Sequence, residues 1–165
     1  MTTRDELIDW LRDAYAMERG LEITLQKQAE SEELSATLRQ QARIHLQETR
    51  SHAEAVQGCL QQLGADTSTI KTGIAKAMET VKGLGTNFAR DERVKDLLAA
   101  YASEHFEIAC YRALHTAATV IGETAIVAVC ESIIPDEQNM ADWLELNLPT
   151  VVREYLAQTT APMAT

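Results

Sequence analysis

A chain of 165 residues is long enough to bury its own core as one domain, and 45% apolar residues with few Pro and Gly among abundant Ala, Leu, Glu and Gln favour an all-helical protein. A formal net charge of -10 with no basic cluster argues against nucleic-acid binding through phosphate contacts, and equally against anionic membranes. The amino terminus lacks the basic and apolar regions of a secretory signal, and no run approaches the roughly 18 apolar residues of a membrane span, so a cytoplasmic protein is expected.

From Thr3 to about Glu30, Leu7, Leu11, Ala14, Leu21 and Leu25 recur at helical spacing, with Thr3 the expected N-cap and Asp5 and Glu6 in the first turn. Glu18 interrupts this otherwise apolar stripe. Ser31-Glu32-Glu33 reads as the start of a second helix, whose stripe runs through Leu34, Leu38, Ala42, His45, Thr49, His52, Val56, Cys59 and Leu63. The middle of that stripe is polar: His45 and His52 lie two turns apart on one face, with Glu48 between them. Gly64 closes the helix, and residues 64–90 read as a crossover carrying a short helix over roughly Ile70 to Lys82.

A third helix is expected from a cap at Asp91 to about Ile121, with Gly122 as its stop signal. Leu97, Tyr101, Ile108, Tyr111 and Ala118 mark its inward face, and Glu104 and Glu107 lie on that face one turn apart. Unpaired buried carboxylates are strongly disfavoured, so a metal ion, an arginine or lysine, or a bound proton must meet them. In the fourth stretch Ile126, Cys130, Ile133, Met140, Leu144 and Leu148 keep near-heptad register, with Glu137 in the gap. That register passes Pro135 unbroken, which predicts a continuous helix kinked there rather than a new start. Pro149 through Leu156 reads as a short amphipathic extension and Thr159 to Thr165 as a frayed end, giving one domain over 1–158 and a tail over 159–165. Cys59, Cys110 and Cys130 form no CxxC pair and read as small buried apolar residues.

Four helices, each with an inward acid near its middle, and imidazole on the second, have the composition of a carboxylate-bridged two-metal site in a four-helix bundle. Oxygen ligands with one or two nitrogens suit iron or manganese, whereas the cysteine-rich ligation that would favour zinc is absent. The motifs Ala16-Met17-Glu18, His45-Leu46-Gln47-Glu48-Thr49, Glu104-His105-Phe106-Glu107-Ile108-Ala109-Cys110-Tyr111 and Asp136-Glu137 resemble those of the YciE/YciF family of ferritin-like proteins over nearly the whole length. The resemblance implies a ferritin-like antiparallel four-helix bundle, a centre of two metal ions, iron first and manganese second, a homodimer, and an association with bacterial stress responses.

In ferritin-like relatives a Glu from helices one and three and a Glu-x-x-His from helices two and four bind the metals. Glu18, Glu48, Glu104 and Glu137 match the four Glu positions, while Ser51 and Met140 stand where the two His would be expected. His45, three residues before Glu48, and Glu107, which resembles the extra glutamate of rubrerythrins, complete the implied ligand set. In it Glu18 and Glu104 would be terminal and Glu48 and Glu137 bridging, with His52 offering a substitute nitrogen. Tyr15 and Tyr111, one turn from acids, are candidates for hydrogen bonds behind the ligands, core packing being their plainer reading. Such a centre would act on oxygen or peroxide and would need an external electron donor. The rival reading is a metal-free interaction bundle whose acids are neutralised by Arg19, Arg43, Arg50 or Arg112. An iron store, which requires a hollow shell, is a third.

Overall fold

The computed structural model of the chain describes residues 2–67 and 92–160. They form four helices: α1 (Thr3–Glu30), α2 (Ala36–Gln62), α3 (Glu92–Ile121) and α4 (Thr124–Thr160), with no strand among the described residues. The short helix expected near Ile70 to Lys82 and the cap expected at Asp91 lie outside them.

Thr2, not Thr3, caps α1. Its hydroxyl accepts from the Asp5 N–H at 3.2 Å and its own N–H donates to the Asp5 carboxylate at 2.8 Å. This reciprocal pair satisfies two donors that an uncapped helix start would leave open. The restart expected at Ser31 also moves. Ser31 ends α1, its N–H donating to the Gln28 carbonyl at 3.3 Å, and Ser35 caps α2 by accepting from the Leu38 N–H at 3.3 Å. Leu34 therefore lies in the turn.

Gly64 and Gly122 end their helices in the left-handed region, at φ 67° and 79°. At each, the next N–H reaches back five residues, Ala65 to Leu60 and Glu123 to Ala118, both at 2.9 Å. A residue with a Cβ adopts this conformation at a cost, which is why glycine stands there. Only residues 122 and 123 separate α3 from α4, so the two must run antiparallel. α4 passes through both Pro135 and Pro149 without a break, as the register predicts for the first; the segment after Pro149 is a continuation of the same helix. Pro135 has no N–H to give the Glu131 carbonyl, but Ile133, Glu137, Met140 and Leu144 stay on one buried face only if the helix continues.

α1 packs along α2 and α3 along α4, while thinner seams join α1 to α3 and α2 to α4. Pairings of Gln41 with Met140 and of His52 with Asp136 show α2 and α4 antiparallel. Because α3 also opposes α4, α2 and α3 run the same way, a topology that needs a long connection between them. The apolar core is divided. Leu7, Leu11, Leu60, Leu114, Ile126 and Ile133 belong to a large cluster toward one end. Smaller clusters hold Leu25, Ala42 and Leu46, and Leu97, Met140, Leu144 and Val151. A polar layer lies between them. Each fully buried Leu or Ile contributes about 1.5–3 kcal/mol, so the apolar ends stabilise the bundle around that layer. No helix among the described residues is long and apolar enough to cross a membrane.

Candidate metal centre

The polar layer is built by four helices whose inward stripes each carry an acid or imidazole at mid-length. α1 supplies Glu18; α2 supplies His45, Thr49 and His52; α3 supplies Ser103, Glu104 and Glu107; α4 supplies Glu137, and all are buried. Glu18 follows Leu7, Leu11 and Ala14 on one stripe, so the packing that buries those residues also buries the carboxylate.

Two groups of potential ligand atoms result. Glu18, His52 and Glu137 form one and His45, Glu104 and Glu137 the other, with the atoms of each within 4.8 Å of one another. Glu137 belongs to both. Its Oε1 lies 3.0 Å from His52 Nδ1 and its Oε2 lies 3.5 Å from His45 Nε2. His45 Nε2 also approaches Glu104 at 3.3 Å, and His52 Nδ1 approaches Glu18 at 3.9 Å.

The outer nitrogen of each ring meets a second carboxylate. Glu48 holds His45 Nδ1 at 3.0 Å, and Asp136 holds His52 Nε2 at 3.1 Å. Such contacts fix the ring and leave the other nitrogen facing inward. Tyr111, fully buried, donates its hydroxyl to Glu18, and Ser103 donates to Glu107 at 3.3 Å. Tyr15 packs against the apolar cluster instead.

Of the six residues expected from the sequence, the structure brings Glu18, His45, Glu104 and Glu137 into the two groups. Glu48 stands behind His45, partly exposed, and Glu107 is buried beside the groups but belongs to neither. His52 enters where the expected set had left it as a substitute, and Asp136 takes an orienting place that sequence reasoning missed. The signals were present: His52 follows His45 by two turns, and Asp136 adjoins Glu137.

Burial raises Glu18 to about 8, helped by the charge of Glu137 and moderated by His52. Burial likewise raises Glu104 to about 7 against the opposing pull of the nearby His45 imidazole, and it raises Glu107 well above the carboxylate range. For the imidazoles burial works the other way and loses: contacts with Glu104 and Glu48 hold His45 up to about 11, and contact with Glu137 and the charge of Glu18 hold His52 up to about 9. Bound protons thus balance a cluster of buried acids.

Among the described residues, the four arginines that could have balanced it do not. Arg19 and Arg50 pair with Glu22, Arg43 donates to the Ala29 carbonyl, and Arg112 is exposed. Glu18 Oε2, Glu104 Oε2, Glu107 Oε2 and both Glu137 oxygens are buried without an aligned hydrogen bond. Unsatisfied buried carboxylate oxygens beside two inward nitrogens are a donor set that fits a divalent cation on each side of Glu137, and hard oxygen with imidazole nitrogen suits iron or manganese.

The family model described as Domain of unknown function (DUF892) matches residues 2–157. Among solved structures, a protein of Xanthomonas campestris pv. campestris is 32% identical, with a TM-score of 0.81 over 97% of this chain and 100% of that one. YcfI of Rhodopseudomonas palustris is 27% identical, with a TM-score of 0.74 over 88% of this chain and 94% of its own. The E. coli stress protein YciF is 24% identical, with a TM-score of 0.76 over 93% of this chain and 98% of its own, a likeness that speaks for the fold alone.

Proposed function

Since the chain belongs to the family described as Domain of unknown function (DUF892), with the ferritin-like bundle of the YciE/YciF proteins, we propose a function from its own site: a carboxylate-bridged dimetal protein, most readily di-iron, that reduces oxygen or peroxide in a bacterial stress response. The observation that carries this reading is Glu137, one buried carboxylate shared by two ligand groups on opposite sides.

Glu18 and His52 would hold one ion and His45 and Glu104 the other, with Glu137 between them. Bound metals would supply two-electron redox chemistry. The chain itself does the rest. Apolar clusters above and below exclude water, Glu48 and Asp136 fix the two rings, and the Tyr111 hydroxyl holds a proton against Glu18. Glu107, which neither group shares and whose carboxyl burial holds well above the usual carboxylate range, is a reserve carboxylate one turn from Glu104. A homodimer, which rests on the family resemblance, and an external electron donor, which reduction of oxygen or peroxide requires, complete the proposal.

Elemental mass spectrometry on untagged protein loaded anaerobically with ferrous ion tests it. About two ions per chain are expected, both lost in Glu137→Ala, which removes the carboxylate the two groups share, while circular dichroism stays helical. No metal in the wild-type sample would sink the dimetal reading and leave an interaction bundle.

A further inference from the structure

Next to the polar layer, toward the Leu97 and Leu144 end, lies a cavity of about 40 Å3. Leu38, Ala42, Leu97, Ala100, Met140 and Leu144 give it mainly apolar walls. Its inner wall is tied to the centre by register: Ala42 precedes His45 by three residues, Ala100 precedes Glu104 by four, and Met140 follows Glu137 by three. One helical turn, about 5 Å of rise, therefore separates the cavity from every member of the His45–Glu104–Glu137 group. Asp96, which also lines it, is exposed and marks the outer mouth. Gln28, Gln41 and Trp143 also reach the lining, and Gln41 turns its amide nitrogen to the Met140 sulfur at 3.4 Å.

A space of this size exceeds the roughly 10–15 Å3 that one water needs, and its mainly apolar walls favour an apolar guest over water. We infer that the cavity is a binding and access site for dioxygen, leading from the Asp96 mouth to the His45–Glu104–Glu137 side of the centre. This rests on the dimetal reading and narrows it, naming an apolar diatomic gas as the oxidant. Peroxide, whose hydroxyls need hydrogen-bond partners, gains little from such walls.

Xenon is the probe, because it enters apolar cavities without chemistry. On metal-free protein carrying 13C-labelled methionine methyls, xenon pressure is expected to shift the Met140 signal saturably. Ala100→Leu, which fills the space, should abolish that shift, keep ferrous content at the wild-type level and slow oxygen uptake by the loaded protein several-fold. Xenon should also slow uptake by the wild type. If Ala100→Leu does not fold, Ala42→Val serves, and xenon inhibition of the wild type needs no variant. A Met140 signal indifferent to xenon overturns the inference whatever the metal content. Xenon binding with undiminished oxygen uptake in the filled variant overturns the access role. Xenon binding in a wild type that takes up no metal overturns the dimetal reading and the oxidant role together.

Discussion

Glu137 faces an imidazole across each of its oxygens and is fully buried between them. His52 and Asp136 make different demands on the same ring, and substitutions separate them. His52→Ala removes the nitrogen of one ligand group, so metal content should fall from about two to about one per chain by elemental analysis. Asp136→Asn keeps a side chain on His52 Nε2 but loses the charge that orients the ring. Affinity should weaken about 10–100-fold at that position with stoichiometry retained at saturating metal, a distinction a titration of ferrous ion would read. Stoichiometry unchanged in His52→Ala would place the second ion elsewhere. The ligand set was only partly legible at this scale. Spacing put Glu18, His45, Glu104 and Glu137 inward, but helical periodicity fixes a direction to within a sector, not a distance. It could not tell that Glu48 would turn to the outer nitrogen of His45 and that Glu137 would be the carboxylate common to both groups.

α4 is the element under most local conflict. Its buried face runs on through Pro135, at the expense of the bond from residue 135 to the Glu131 carbonyl. Pro135→Ala restores that donor, and the metal-free protein should gain about 1–3 kcal/mol in urea denaturation after the looser unfolded chain is allowed for. The same stretch lies two residues from Glu137, so the variant is also expected to change metal affinity if the opened turn sets the direction of that carboxylate. Gly122→Ala tests the opposite kind of position. Its φ of 79° is strained for any residue with a Cβ, although nothing lies within 4 Å of the added atom, so stability should drop by about 1 kcal/mol with no effect on metal content. The helix starts were less legible than the helix ends. Thr2 and Thr3 are chemically alike and adjacent, and Ser31 and Ser35 both precede amphipathic sequence. Which one caps depends on which N–H groups are left open, whereas glycine at a left-handed stop has few rivals.

Across the whole molecule the buried cluster makes stability depend on pH. Glu18 and Glu104 keep their protons in the folded form well above the ordinary carboxylate value of 4.5, and His45 and His52 keep theirs above the ordinary imidazole value of 6.5. All four therefore bind protons more tightly folded than unfolded. Their contribution is complete below the ordinary values and drains away as pH rises through about 7 to 8 for the two carboxyls and about 9 for His52. Each such proton tilts stability by ~1.4 kcal/mol per pH unit in its window. Metal-free protein should thus lose melting temperature steadily between about pH 5 and 9, and a flat or rising curve would contradict the buried-proton picture. Metal loading should displace those protons, flatten the curve, and release protons detectable by calorimetry in buffers of different ionisation enthalpy.

The four helices, their inward stripes, the glycine stops at Gly64 and Gly122, and the acids and imidazoles on those stripes could all be read along the chain, because periodicity and terminal chemistry are local properties. The packing of the helices against one another set the rest: His52 and Glu18 share Glu137 with His45 and Glu104, Arg19, Arg43, Arg50 and Arg112 stay outside, and a cavity lies one helical turn from the His45–Glu104–Glu137 group. Those facts depend on how far each helix slides along its neighbours. That slide is set by the sum of many apolar contacts, which no single segment records.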